Sequence, residues 1–263
     1  MANKQYSSLA RVYDDLNLSF DYGALADFIA DEIREKQKAD TQLVLDLACG
    51  TGKLTLLLRE RGYDMTGIDL SEDMLSIARE ECYKKGISDV LWLCQDMTDF
   101  ELYGTVDACV CSLDSINYLT SINDVKKCFS KVYNYLIPDG VFIFDINTPH
   151  RFKNVYGNNA FILENDGELC AWQNEYNEKS GMCYFYLSVF TESGDGTYVR
   201  SDEVQREKCY TKRQIDKALR DCGFEILGVY GDVNRTPIKD TDEKWYYTVR
   251  CIKDESSPNF KAN

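Results

Sequence analysis

Histidine is almost absent from this chain of 263 residues, which contains only His150. A zinc site built on histidines is therefore nearly excluded, and we predict no metal site. A hydrolase of the Ser-His-Asp type would have to use this single histidine. His150 follows a predicted strand, where a pocket residue would fit, but a lone histidine in a loop is more often structural or merely exposed.

Basic residues are also scarce. The chain has 30 lysines and arginines against 44 aspartates and glutamates, which leaves a formal charge of −14. A field of this sign repels phosphate backbones and anionic membrane surfaces. General nucleic-acid binding is therefore disfavoured, although an acidic pocket could still accept a basic protein or a specific RNA.

Long apolar runs and disulfide motifs are missing as well. No run reaches the roughly 18 to 20 residues of a membrane helix, and residues 1–5 lack the charged-then-apolar form of a signal peptide. The 11 cysteines include no Cys-x-x-Cys pair, and several lie in apolar runs, as Cys94, Cys109 and Cys111 do. Because free cysteine packs as a small hydrophobe, buried reduced thiols explain them better than disulfides. We expect a cytoplasmic protein with no membrane contact.

Short aliphatic runs alternate with longer segments of helical period from about residue 43 onward. This alternation is typical of βα units around a parallel sheet. The strand candidates are 43–47, 64–68, 90–94, 106–111 and 141–145. The helix candidates are 52–61, 72–85 and 122–136, preceded by an amphipathic helix at 22–35. Ser71 is the expected N-cap of the second of these, with Met74 as an apolar anchor.

The pattern changes after Pro149. Three runs of period two follow, separated by Gly-containing turns, and they predict an antiparallel meander. These runs are 169–176, 182–190 and 198–209. A helix at 212–221 and strands near 225–230 and 244–252 then close the chain. We therefore predict a doubly wound α/β domain at 1–150 and 211–253, an inserted β lobe at 151–210, and a flexible tail at 254–263.

The most informative stretch is a strand that runs directly into a Gly-x-Gly turn and then a helix. Gly50 and Gly52 let a ligand approach the backbone, and the helix start offers free N–H groups to a carboxylate or phosphate. The next strand ends at Asp69, 17 residues after Gly52. A carboxylate there can accept hydrogen bonds from the two hydroxyls of a ribose. The two features together predict a nucleoside cofactor.

The choice of cofactor depends on the rest of the turn. A dinucleotide fingerprint would place a third glycine where this chain has Thr55, and no arginine pair for a diphosphate is near. NAD is therefore the weaker choice. After the third strand, Asp96 could accept from the exocyclic amine of an adenine while Met97 lies against the ring.

These residues resemble the class I S-adenosylmethionine-dependent methyltransferases over most of residues 40–150. The resemblance rests on Asp46 to Gly52, Asp69, Asp96-Met97 and residues 107–113. More narrowly, residues 6–14, the Leu-Ala-Cys-Gly-Thr-Gly turn, the stretch 111–119 and the inserted meander resemble bacterial small-molecule methyltransferases, including sugar and amine N-methyltransferases. One departure is Ala48, where many relatives have the first glycine of the turn. The resemblance implies a seven-stranded sheet with its last strand antiparallel, and a substrate lobe formed by the insertion.

The resemblance also implies roles for individual positions. Gly50 and Gly52 would flank the methionine part of the cofactor, and Leu113 would lie near the sulfonium. Tyr13 and Tyr22 would either close over the cofactor and the methyl-transfer site or pack the first helix. Asp46 is expected to shape the turn through backbone hydrogen bonds rather than touch substrate. The full set of predicted cofactor-binding residues is Tyr13, Tyr22, Asp46, Ala48, Cys49, Gly50, Gly52, Asp69, Leu70, Met74, Asp96, Met97 and Leu113.

Methyl transfer from a sulfonium is an in-line displacement, so the enzyme mainly aligns the nucleophile and excludes water. If the acceptor is an amine, a carboxylate or phenol near the methyl could take its proton. Asp114 and Tyr118, with Tyr13, are the catalytic candidates, although Asp114 could instead cap a helix and Tyr118 could simply pack.

We predict an S-adenosylmethionine-dependent methyltransferase with a small-molecule acceptor, N-methylation being slightly favoured over O-methylation. The alternatives are a binding protein for S-adenosylmethionine without catalysis and, less favoured, a nucleotide-dependent oxidoreductase.

Overall fold

The computed structural model describes residues 20–37, 40–165 and 167–253. Tyr13 and the predicted tail at 254–263 lie outside the described residues. In chain order the elements are α1 Tyr22–Lys36, β1 Leu43–Leu47, α2 Lys53–Glu60, β2 Asp64–Asp69, α3 Glu72–Lys84, β3 Leu91–Cys94, β4 Val106–Cys111, a 3₁₀ helix Ser115–Tyr118, α4 Ile122–Tyr135, β5 Leu136–Asn147, a π-helix Arg151–Tyr156, β6 Ala160–Asn165, β7 Glu168–Asn177, β8 Met182–Glu192, β9 Tyr198–Lys208, α5 Lys212–Asp221, β10 Phe224–Tyr230 and β11 Lys244–Cys251.

Seven strands form the main sheet, in the order β10-β11-β5-β4-β1-β2-β3. Strands β1 to β5 pair in parallel, and only β11 runs antiparallel to its two neighbours. One apolar cluster, with Phe129 and Phe142, packs α4 and α5 against one face; a second, with Ile29 and Val141, packs α1 and α2 against the other. The predicted fold class is therefore confirmed.

The helices begin where the sequence signals predict. Ser71 accepts a hydrogen bond from the Met74 amide at the start of α3, and Ser121 caps α4 in the same way. Thr211 and Gln214 form a reciprocal capping box at the start of α5. Such caps satisfy backbone N–H groups that have no partner inside the helix. Within the described chain, no helix has both the length and the apolar character needed to span a membrane.

A second, antiparallel sheet is built from β6, β7, β8 and β9. The three predicted strands are confirmed, but a fourth was missed, since β6 at Ala160–Asn165 precedes them and pairs with β7. Its sequence, Ala-Phe-Ile-Leu-Glu-Asn, lacks apolar-polar alternation, and Ile162 is 65% exposed. An apolar residue on the solvent face of the strand hides the period of two on which the prediction relied.

The β lobe is attached to the main sheet through the 3₁₀ helix after β4. The side chain of the buried Asn117 accepts from the Asn147 amide at 2.9 Å and donates to the Lys208 carbonyl at 2.9 Å. The Tyr118 hydroxyl donates to Gln205 at 2.9 Å, and the Tyr210 hydroxyl donates to the Leu119 carbonyl. Because these bonds join β5, β9 and the 3₁₀ helix, they fix the position of the lobe beside the carboxyl ends of the parallel strands.

The glycines near the predicted turn also serve packing. A Cβ atom on Gly67 would lie 2.5 Å from the indole of Trp92, and one on Gly52 would lie 2.4 Å from it. Gly67 and Trp92 are register partners on β2 and β3. The indole can therefore approach both backbones this closely only because the two positions lack a side chain.

Gly67→Ala should destabilise the protein by about 1 to 3 kcal/mol, because the added methyl overpacks the site against Trp92. Urea unfolding would measure the loss. Gly104→Ala is the control, since a Cβ there meets nothing within 4 Å. Equal stabilities for the two variants would show that Trp92 does not require glycine at position 67.

Candidate functional site

The turn after β1 is held in an unusual backbone conformation. Ala48, Gly50 and Gly52 all have positive φ angles, of 60°, 56° and 78°. Left-handed backbone is uncommon for alanine, so Ala48 is strained in the position where the resemblance expects glycine. The turn bounds a groove whose lining residues are Tyr22, Asp46, Ala48, Cys49, Gly50, Thr51, Lys53, Leu54, Ser112, Leu113 and Ser115.

The groove brings together most of the residues predicted around the turn: Tyr22, Asp46, Ala48, Cys49, Gly50 and Leu113. Sequence reasoning missed Thr51, Lys53, Leu54, Ser112 and Ser115, which are chain neighbours of the predicted residues. Lys53 also lies over the Tyr22 ring, 5.3 Å from its centroid. A search one or two residues to either side of each motif would have found this group.

Asp69 supports the turn from the end of β2. One of its carboxylate oxygens accepts from the Gly50 amide at 2.8 Å, and the other accepts from the Ser71 amide at 2.8 Å. Burial raises the pKa of Asp69, while these backbone hydrogen bonds oppose that shift. Each carboxylate oxygen has a second lone pair, so Asp69 retains the capacity to accept from a ligand hydroxyl.

Asp46 is buried on β1, with its carboxyl lining the groove. The hydrogen bond that the structure shows comes from the Thr55 side-chain hydroxyl, at 2.6 Å, whereas backbone donors were expected. Burial raises the pKa of Asp46 to about 7, against the opposing effect of the Thr55 hydrogen bond. Asp46 therefore changes its charge near neutral pH.

The other predicted cofactor residues lie outside the groove, at the neighbouring strand ends. Leu70 is 59% exposed after β2, and Met74 is buried in the first turn of α3. The Asp96 carboxylate accepts from the amide and hydroxyl of Thr98, and Met97 packs against the main core. The strand ends are adjacent, because the Gln95 amide donates to the Asp69 carbonyl at 3.0 Å.

A larger cavity of about 420 Å³ lies between the strand ends and the β lobe. Its apolar wall includes Leu163, Trp172, Phe185 and Leu187 from the lobe. The other lining residues are Phe20, Leu113, Asp114, Tyr118, Arg151, Tyr156, Gln205, Glu207, Gly231, Asp232, Glu243, Lys244 and Tyr246. Leu113 lines both the groove and the cavity, so it stands at the junction between them.

The Leu113-Asp114 turn is held by a buried ion cluster. Both residues have positive φ, 57° and 56°, and their amides donate to the Asp145 carboxylate at 2.7 and 3.0 Å. The Lys244 ammonium bridges Asp114 at 2.5 Å and Asp145 at 2.6 Å. Two consecutive left-handed residues are strained. The cluster therefore fixes a backbone shape that the sequence alone would not favour.

The cluster also sets the charge of Asp114. Burial would raise the pKa of Asp114, but the charges of Lys244 and Arg151 outweigh it and hold this pKa below the ordinary value. Asp114 stands at the N-cap position of the 3₁₀ helix, yet its side chain makes no capping bond. The alternative of a helix-capping aspartate is thus not what the structure shows.

Strand β9 contributes a buried polar face that the sequence reasoning missed. Glu203, Gln205 and Glu207 are buried, whereas the intervening Val204 is 54% exposed. The sequence carried no clear signal for this face, because the exposed face of the strand also bears charged residues, Asp202 and Arg206. Burial and the charge of Asp114 raise the pKa of Glu207 well above the ordinary glutamate value.

The π-helix Arg151–Tyr156 supplies another wall of the cavity. Its wider turn aligns residues five apart, and the Arg151 guanidinium lies 4.9 Å from the centre of the Tyr156 ring. Arg151 also pairs with Glu243 at 3.2 Å. Turns of this kind are frequent at functional sites. The sole histidine, His150, contacts Asn154 at 3.0 Å and is not among the cavity-lining residues.

Comparison with known proteins shows similarity to methyltransferases. A family model described as "Methyltransferase domain" matches residues 44–140. The relative named "Putative methyltransferase YqeM" from Bacillus subtilis is 31% identical over 249 residues, covering 94% of this chain and 98% of its own. A dTDP-3-amino-3,4,6-trideoxy-alpha-D-glucopyranose N,N-dimethyltransferase from Streptomyces venezuelae is 33% identical, covering 82% of this chain and 90% of its own.

Among solved structures, an S-adenosylmethionine-dependent methyltransferase from Clostridium acetobutylicum is similar over almost the whole chain. The TM-score is 0.85 at 32% identity, with 94% of this chain and 99% of that chain covered. The similarity includes both the seven-stranded sheet and the inserted β lobe.

The raised pKa of Asp46 gives a stability prediction. The folded protein binds this proton more tightly than the unfolded chain does, so stability falls as pH rises from about 4 to about 7. Relative to Asp46→Asn, the wild type should lose about 1.4 kcal/mol per pH unit between about pH 5 and 7. Urea unfolding at several pH values measures this, with the exposed Asp64→Asn as control. Parallel curves for wild type and Asp46→Asn would contradict the assignment.

Proposed function

The chain belongs to the S-adenosylmethionine-dependent methyltransferases, and from that membership we propose that it methylates an amine nitrogen of a small-molecule acceptor. The observation that carries the acceptor class is the charge of the cavity beside Leu113. Its lining carboxyls, Asp114, Glu207, Asp232 and Glu243, outnumber its two cationic side chains, Arg151 and Lys244. A cavity of this sign favours an acceptor that can carry positive charge.

The two cations are already engaged by protein carboxylates. Lys244 bridges Asp114 and Asp145, and Arg151 pairs with Glu243. They therefore leave the Glu207 carboxyl without a cationic partner among the described residues. An acceptor group that carries negative charge would face uncompensated carboxyls in this cavity, whereas an amino group would complement them. The relative from Streptomyces venezuelae, whose name specifies an amino sugar, is consistent with this class.

The groove has the features that the methyl donor requires. S-adenosylmethionine supplies a methyl group activated on a positively charged sulfur. The start of α2 has no side-chain cap, so its first N–H groups can bind the carboxylate of the methionine part. The space around Gly50 is open to a ligand. We assign the ribose hydroxyls to Asp69 and the amino group to the neighbourhood of Asp46.

Leu113 stands at the junction of groove and cavity, and we place the transferred methyl there. In-line displacement requires the nucleophile to approach from the side opposite the sulfur. A groove and a cavity that share one wall residue supply this arrangement. Asp96 and Met97 remain our assignment for the adenine, and Tyr22 for closing the groove.

We assign different roles to the two catalytic candidates Asp114 and Tyr118. Lys244 keeps Asp114 ionised and makes it a weak base, so Asp114 contributes negative charge to the cavity. Tyr118 holds Gln205 through its hydroxyl and so orients the polar face of β9. The division into a cofactor domain, at 1–150 and 211–253, and a substrate lobe, at 151–210, is part of the same proposal.

Asp69→Ala should weaken the binding of S-adenosylhomocysteine by about 1.5 to 3 kcal/mol, because hydrogen bonds to a charged acceptor are lost. Isothermal titration calorimetry measures the change, with Asp64→Ala, at the other end of β2, as control. Retained far-ultraviolet circular dichroism would show that the turn still folds. Unchanged affinity in folded Asp69→Ala would remove Asp69 from the ribose site.

The acceptor class is tested with matched pairs of amine and hydroxyl compounds. Glycine is paired with glycolate, and a dTDP-3-amino sugar with its 3-hydroxy counterpart. We expect S-adenosylhomocysteine to form with an amine at a rate at least tenfold above its hydroxyl partner, because the carboxyls of the cavity favour the amine. Mass spectrometry identifies the methylated atom. Turnover of the hydroxyl partners alone would overturn N-methylation while leaving the family assignment intact.

A further inference from the structure

Glu207 is a buried carboxyl of the cavity that, unlike Asp114 and Glu243, forms no ion pair among the described residues. It is 2% exposed and lines the cavity from β9. Among the residues that the structure describes, its hydrogen-bond donor is the Asn147 amide, 3.0 Å from Oε2. The other oxygen, Oε1, therefore remains available to a ligand in the cavity.

We propose that Glu207 binds the nitrogen of the acceptor and takes its proton before methyl transfer. The inference rests on the proposed function and names the residue that would serve it. Glu207 reaches the cavity from the lobe, whereas Leu113 reaches it from the main sheet. An acceptor nitrogen between them would face the carboxyl on one side and the methyl donor on the other.

Asn147, the hydrogen-bond donor to Glu207, is held by the same hydrogen bonds that attach the β lobe to the main sheet. The side chain of Asn147 donates to Glu207, and its backbone amide donates to the side-chain oxygen of Asn117 in the 3₁₀ helix. Asn117 also donates to the carbonyl of Lys208, next to Glu207 in β9. The carboxyl is therefore fixed relative to the Leu113 turn by two asparagines, both of them buried. Such rigid support is what positioning for proton transfer requires.

The surroundings of Glu207 favour a neutral amine next to a neutral carboxylic acid over an ammonium next to a carboxylate. Burying an ammonium and a carboxylate together costs more than burying an amine and a carboxylic acid, because desolvation penalises both charges. The facing titratable groups are Asp114 on the turn, Arg151 and Tyr156 on the π-helix, Lys244 on β11 and Cys183 across the strand pair. Burial and the negative charge of Asp114 raise the pKa of Glu207 well above the ordinary glutamate value, which increases its affinity for a proton.

Proton transfer to Glu207 precedes methyl transfer. The acceptor ammonium gives one proton to the Glu207 carboxylate, which becomes a carboxylic acid, and the nitrogen regains its lone pair. The nitrogen then forms a bond to the methyl carbon as the bond from that carbon to sulfur breaks. The products are the methylated ammonium and neutral S-adenosylhomocysteine. Glu207 finally returns its proton to water, so one proton is released per methyl group transferred.

The test compares Glu207→Gln, Glu207→Asp and the control Glu203→Gln, which alters another buried carboxyl on the same face of β9. All three should bind S-adenosylhomocysteine as the wild type does, which shows that the cofactor groove is intact. The first measurement needs no turnover. Line broadening of ¹³C-methylammonium reports its binding to protein saturated with S-adenosylhomocysteine. We expect Glu207→Gln to lose at least tenfold in affinity, and Glu203→Gln to change less than twofold.

The second measurement is the pH profile of methyl transfer to whichever amine the wild type accepts. Glu207→Gln should lower kcat on the order of 100-fold or more, as the loss of a general base does. Its rate should recover toward high pH, where the free amine is abundant. Glu207→Asp should retain part of the rate, because a carboxyl remains.

The outcomes distinguish a failure of the Glu207 role from a failure of the amine acceptor. Equal methylammonium binding by wild type and Glu207→Gln overturns the role of Glu207, whatever the acceptor proves to be. A raised KM with unchanged kcat in Glu207→Gln also overturns it, since binding without proton transfer would remain. Turnover of hydroxyl compounds alone overturns the amine proposal, and the methylammonium measurement then still decides whether Glu207 binds a cation.

Discussion

The arrangement of the site depends on one buried interaction, the bridge of Lys244 between Asp114 and Asp145. It joins the antiparallel last strand to the ends of β4 and β5, and it fixes two consecutive residues in left-handed backbone. Removing one partner of such a buried cluster typically costs about 3 to 5 kcal/mol, because an uncompensated charge stays behind. The position of Leu113 between groove and cavity follows from this bridge.

The same region shows how one carboxylate can serve structure and another can serve chemistry. Asp114 is paired with a cation, remains ionised and has little affinity for a proton. Glu207 lies in the same cavity without a cation, and its affinity for a proton is raised. The difference comes from their partners, since both carboxyls are buried. Two acids whose proton affinities diverge in one cavity are typical of sites that move protons.

The β lobe, with the π-helix before it, supplies eight of the 17 residues that line the cavity, and its position is a consequence of the 3₁₀ helix after β4. Asn117 and Tyr118 follow directly on the Leu113-Asp114 turn, and they bond to β5 and β9. The segment that defines the junction with the cofactor groove thus also carries the lobe.

The sequence by itself determined the fold class, a nucleoside cofactor and the residues of the glycine turn, and its resemblance to a known family identified that cofactor as S-adenosylmethionine. Strand and helix periods, capping residues and the spacing from Gly52 to Asp69 are local properties, and local rules are enough to interpret them. The tertiary structure alone decided which side chains meet in the acceptor cavity. Asp114 and Lys244 are 130 residues apart in the chain, and Asn147 and Glu207 are 60 apart. No period or spacing encodes such contacts, because they depend on how the lobe and the last strand pack against the ends of the parallel sheet.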